Sequence, residues 1–88
     1  EAVPREDLEI YLYPNPAGDF IWIKTESEQL VKADFELFNA LGQRVLSEEI
    51  EGSKEHEISL SGVKSGVYFY QISEGGSLRK SGKVIVQK

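Results

Sequence analysis

Apolar residues along this chain alternate with polar ones or run in short blocks, and clusters of Gly, Pro, Asn and Ser separate the blocks. A period of two is the period of a β-strand, and blocks of this length between turn residues predict an all-β domain. The pattern is carried by seven segments: Leu8–Tyr13, Phe20–Thr25, Ala33–Asn39, Arg44–Glu51, Glu55–Ser61, Val67–Glu74 and Ser77–Gln87. Their number and spacing predict a seven-stranded antiparallel β-sandwich. No window shows a convincing helical period; the best helical stretch, Glu26–Lys32, is short.

The alternation also assigns faces. Ala33, Phe35 and Leu37 point inward while Asp34 and Glu36 point out. Ile58 and Leu60 point inward, as do Tyr68, Tyr70 and Ile72; Val67, Phe69 and Gln71 form the opposite face. The segment Phe20–Thr25 is apolar on both faces. Ile21 and Ile23 are assigned to the core, which leaves Phe20 and Trp22 outside unless a terminal segment covers them.

The turns carry their own chemistry. Asn39-Ala40-Leu41-Gly42 suits a type I turn whose last residue takes a positive φ, the form that makes a hairpin with a bulge. Glu74-Gly75-Gly76-Ser77 suits a two-residue type I′ hairpin, and Gly62 and Gly66 bracket a looser connection. The stretch Tyr13-Pro14-Asn15-Pro16-Ala17-Gly18 is stiffer. Each proline fixes φ and removes an N–H, and each preceding residue is pushed toward extended backbone. It is expected to be an extended, poorly paired connector that ends one strand and aims the next. Residues 1–9 are expected to be a linker, and residues 10–88 the domain.

A chain of 88 residues allows one domain, burying roughly 60–65% of its unfolded surface. The net charge of −5 argues against nucleic acid and anionic membrane surfaces as partners. There is no cysteine, hence no disulfide, thiolate nucleophile or zinc–sulfur site. No apolar run approaches the ~18 residues of a membrane span, and Glu1 does not open a signal peptide. An export signal, if one is needed, is expected on a longer precursor.

Candidate chemistry is sparse. His56, the only histidine, sits between Glu55 and Glu57 and reads as a solvated strand residue. A metal site would need convergent partners of a kind the sequence does not show, and no cofactor is expected. The carboxylates, such as Glu48-Glu49, read as a charged, soluble surface rather than a catalytic pair, which needs a cleft. No serine has a nucleophile-elbow context, and Gly75-Gly76 lacks the residues of a phosphate loop. An enzyme is therefore not expected. Tyr11, Tyr13, Phe20 and Trp22 cluster near one end of the sequence and suit packing or a recognition patch for a protein or a sugar.

Several pieces, in order, resemble one family. They are Tyr13-Pro14-Asn15-Pro16-Ala17, then Ile21-Trp22-Ile23, then Leu41-Gly42-Gln43-Arg44-Val45. Ile58-Ser59-Leu60 follows, then Ser65-Gly66-Val67-Tyr68, and at the end Lys83-Val84-Ile85-Val86-Gln87-Lys88. This succession resembles the type A C-terminal sorting domain of the type IX, or Por, secretion system of Bacteroidetes. Phe20 and Trp22 are bulkier than the pattern leads one to expect, and Gln87-Lys88 extends past the apolar run.

The resemblance implies an immunoglobulin-like sandwich appended to a larger secreted cargo. It implies recognition by the outer-membrane translocation machinery, then removal by a surface sortase-like enzyme that cuts at or before Glu1–Asp7. The residues it marks are Tyr13, Pro14, Asn15, Pro16, Gly42, Gly66, Tyr68, Lys83, Val84, Ile85 and Val86. Signals shared by unrelated cargoes suit recognition through edge-strand backbone, which points to Lys80–Lys88. The other function considered is a carbohydrate-binding or spacer module of a secreted hydrolase, using Trp22 and its aromatic neighbours.

Overall fold

The computed structural model describes residues 10–25, 30–53 and 55–88. The linker expected at Glu1–Asp7, the first two residues of the first expected strand and the 26–29 part of the helical stretch lie outside the described residues. Seven strands follow one another: β1 (Ile10–Tyr13), β2 (Phe20–Thr25), β3 (Leu30–Phe38), β4 (Arg44–Ser53), β5 (Glu55–Ser59), β6 (Gly66–Glu74) and β7 (Ser77–Val86). No helix occurs among the described residues. The end of the helical stretch is instead the start of β3, where Leu30 pairs with Ser53 and Lys32 with Glu51. A turn or two of isolated helix is marginal in water, whereas a strand added to an existing ladder gains a pairing per residue.

The strands form a three-stranded sheet in the order β1-β2-β5 and a four-stranded sheet in the order β4-β3-β6-β7. All neighbouring strands are antiparallel. The chain changes sheet after β2, after β4 and after β5, as a two-layer sandwich requires. This all-β architecture is compatible with an immunoglobulin-like sandwich.

The core fills the space between the sheets. Ile21, Ile23 and Ile58 of the small sheet, with Leu60 just beyond it, face Ala33, Phe35, Leu37, Tyr68, Tyr70 and Ile72 of the large one, and all are buried. Phe35 and Tyr70 stack with ring centroids 6.2 Å apart. Every residue assigned inward from the alternation is buried, because a strand inside a two-layer fold has only one dry face. Phe20 is exposed and Trp22 half-buried on the outer face of the small sheet.

His56 departs from expectation. It shares the inward face of β5 with Ile58, is half-buried, and its Nε2 lies 2.8 Å from the Glu48 carboxylate on β4. The contact joins edge strands of the two sheets, so His56 closes one side of the sandwich.

The β3–β4 hairpin matches its expectation. Gly42 has φ +86°, and its N–H donates to the Asn39 carbonyl at 2.9 Å. The Asn39 side-chain oxygen accepts the N–H groups of Leu41 and Gln43, so one asparagine organises the whole loop. A register shift follows between Leu37 and Phe38. In the β6–β7 hairpin Gly75 and Gly76 have φ of +60° and +84°, as a type I′ turn needs.

Candidate functional site

The 13–17 segment runs from β1 alongside β7, an edge strand of the large sheet. Both its X–Pro bonds, Tyr13–Pro14 and Asn15–Pro16, are cis. The Asn15 side-chain amide donates to the Lys83 carbonyl at 3.1 Å and accepts the Ile85 N–H at 3.1 Å. Ala17 then pairs with Val86 in a parallel bridge: its N–H donates to the Ile85 carbonyl and its carbonyl accepts the Gln87 N–H, both at 2.7 Å. The segment is therefore not the poorly paired connector expected. Proline leaves it few backbone donors of its own, and the asparagine amide, with one donor and one acceptor side by side, takes the place of a peptide group.

Four groups on the outward edge of β7 are thus occupied: Lys83 O, Ile85 N, Ile85 O and Gln87 N. In an antiparallel strand, alternate residues direct both backbone groups to the same side, so residues 83, 85 and 87 share this edge. Their side chains alternate with those of the core: Val84 and Val86 are 1% exposed while Ile85 is 37% exposed. β7 is an edge strand, as expected, but its last third is covered.

The other marked residues lie at the same end of the sandwich. Gly66 pairs with Val86 and Tyr68 with Val84. Tyr68 is buried, and its hydroxyl donates to the Lys64 carbonyl at 2.7 Å, tying β6 to the loop before it. Lys88 extends the same corner, its N–H bonded to Ser65 Oγ at 2.9 Å and its ammonium to the Leu60 carbonyl at 2.5 Å. Gly42 reaches this end across the large sheet, where Phe38, Phe69 and Lys83 stand in one row. An open groove of about 600 Å³ has Gly42 on one wall and Lys83 on the other. Residues up to about seventy positions apart in sequence therefore meet at one end of the domain.

Tyr13 is the exposed start of this 13–17 arm. Its hydroxyl donates to the Glu55 carboxylate at 3.2 Å. Desolvation, then the hydrogen bond and charge of Glu55, push that hydroxyl above its ordinary pKa. Tyr11, Tyr13, Phe20 and Trp22 share the outer face of the small sheet. Further away, the carboxylates form ion pairs: Glu36 with Arg44 at 2.9 Å, Glu49 with Lys32 at 3.4 Å, and Glu74 with Arg79.

Sequence reading missed one residue that shapes β7. Gly82 faces Tyr70 across the β6–β7 ladder, and a Cβ at residue 82 would meet the ring at 2.9 Å. The available signal was a glycine inside a strand, which marks a close approach. Burial of the Tyr70 ring pushes its hydroxyl above the ordinary tyrosine pKa.

Comparison with known proteins gives the arrangement its context. A family model described as the secretion system C-terminal sorting domain matches residues 11–87, nearly the whole chain. No curated protein sequence matches. The family match lends no support to a carbohydrate-binding role for the aromatic face. It covers both the 13–17 segment and β7, the two pieces that the fold brings together. The chain belongs to the C-terminal sorting domains of the type IX secretion system, the signals that direct proteins through the outer membrane to the cell surface or the surrounding medium.

Proposed function

We propose that the address read by the type IX machinery is the end of the sandwich where the 13–17 segment meets β7. In this reading Lys83, Val84, Ile85 and Val86 carry the recognised strand. Tyr13, Pro14, Asn15, Pro16, Gly42, Gly66 and Tyr68 build the end that presents it. The observation that carries the reading is their convergence: residues separate in the family pattern share hydrogen bonds, strand pairs and one groove. Signals that serve cargoes of different sequence need a feature independent of cargo, and strand backbone with an alternating exposed side chain supplies one.

The rest follows the family. A larger cargo precedes the domain, the outer-membrane translocation machinery binds it, and a surface sortase-like enzyme cuts upstream of Tyr13. The domain itself does no chemistry. Its side chains suit that role: His56 holds Glu48 across the sandwich, and Glu36, Glu49 and Glu74 each hold a cation.

The test is Lys83→Glu in a reporter fused to the domain and expressed in a host with a working type IX system. Lys83 is exposed, so the substitution is expected to change stability by less than ~0.5 kcal/mol. Export is expected to fall while the melting temperature holds. Export equal to the parent, with the fold intact, removes the Lys83 side chain from the address.

A further inference from the structure

The outward edge of β7 shows which kind of partner fits it, because the molecule's own arm already sits there. The occupant is a bent segment with two cis prolines whose one backbone bridge to β7 is parallel; it satisfies Lys83 O and Ile85 N through one amide and Ile85 O and Gln87 N through one residue's backbone. Among the described residues, no segment continues this pairing past Lys83 toward Ser81, although alternation aims the backbone of residue 81 to the same side. The edge is thus covered from Lys83 onward and open before it, and the open part adjoins the groove at Lys83.

We infer that a strand of the receptor adds to β7 parallel to it, entering at Ser81 and displacing the 15–17 segment from Lys83, Ile85 and Gln87. This rests on the reading that β7 carries the export address. The arm acts as a guard strand. Before recognition it satisfies edge groups that would otherwise pair with any exposed strand, the hazard of every open sheet edge. The exchange is close to neutral in hydrogen bonds, since each bond lost to the arm is remade to the receptor. Preference then comes from the additional pairs at residue 81 and from contacts of the exposed Ile85 and Lys83 side chains. The arm also suits release, because Asn15 grips through a side chain and the two prolines cannot extend the ladder.

Two variants in opposite directions test this, read as the fraction of a fused reporter exported. Ala17→Cys combined with Val86→Cys closes the arm onto β7, since these residues face each other in the bridge and both are 1% exposed. The 88 residues contain no other cysteine, so within one copy of the domain the pair can form only the intended bond. The bridged form, its oxidation checked by thiol labelling, is expected to be exported at least about tenfold less than either single variant. Asn15→Ala loosens the arm. The Ile85 amide is expected to exchange with solvent roughly five- to tenfold faster, for the loss of about one hydrogen bond, and export to exceed that of the parent, because the segment that must leave is held less tightly.

Normal export of the bridged form overturns the exchange. So does export of folded, monomeric Asn15→Ala at or below the parent's level, which would give the arm no guarding role or make it a contact itself, and so does a loss of export by the cysteine pair that is traced to bonds with a second copy. If the bridged variant does not fold, the Asn15→Ala result decides alone. Failure of the single-cysteine variants and the parent to be exported strikes the sorting address, and the exchange falls with it. Export of those proteins alongside a normal bridged form strikes the exchange only.

Discussion

The ring of Tyr70 lies over Gly82 on the neighbouring strand, so close that the first carbon of any side chain at residue 82 would be 2.9 Å from ring atoms. The ring cannot retreat easily, because it is also stacked with Phe35 in the core. Gly82→Ala is therefore expected to destabilise the domain by about 1–3 kcal/mol, the usual cost of overpacking. In a Tyr70→Leu background the same change is expected to cost much less. A double-mutant cycle by thermal or denaturant melting checks this, and equal costs in both backgrounds would place the constraint on Gly82 elsewhere.

Gly42 poses a different kind of constraint. No heavy atom lies within 4 Å of where its Cβ would be, but its φ is +86°. Only backbone conformation is at stake. Gly42→Val is expected to cost about 1–2 kcal/mol, and Gly42→Asn distinctly less, because asparagine tolerates left-handed backbone. Equal melting temperatures for both variants and the parent would show that the turn tolerates a different conformation.

Leu37 stands next to the end of β3, paired with Leu46 on one side and Tyr70 on the other, and is 1% exposed. Leu37→Ala is expected to cost about 2–5 kcal/mol through lost burial and the cavity left behind. A domain of this size has little stability to spare, so the variant is expected to be partly unfolded at physiological temperature. Circular dichroism with a denaturant titration measures it.

Strand positions were legible in the sequence wherever one face is dry and the other wet. Phe20–Thr25 and Arg44–Glu51 begin where the alternation places them, and Tyr68, Tyr70 and Ile72 face the core as their spacing requires. Gly42 was legible because a turn residue with φ > 0 is a local property. His56 shares its face with Ile58, so the period alone points it inward; its polarity and the flanking glutamates argued the other way. The contact of Asn15 with Lys83 and Ile85 had no local signal. It joins residues 68 and 70 positions apart, and it depends on a side-chain amide standing in for backbone in a segment whose prolines look unable to pair.

A sorting signal of this kind is expected to be sufficient to send an unrelated protein through the type IX system. The most direct measurement transplants it onto a periplasmic reporter and quantifies the reporter outside the cell. The same host lacking a functional type IX channel serves as the control. The fusion is expected to leave the cell only when the channel works, while the reporter without the domain stays in the periplasm. A fusion that remains in the periplasm of the competent host, with its domain folded and intact, would contradict it.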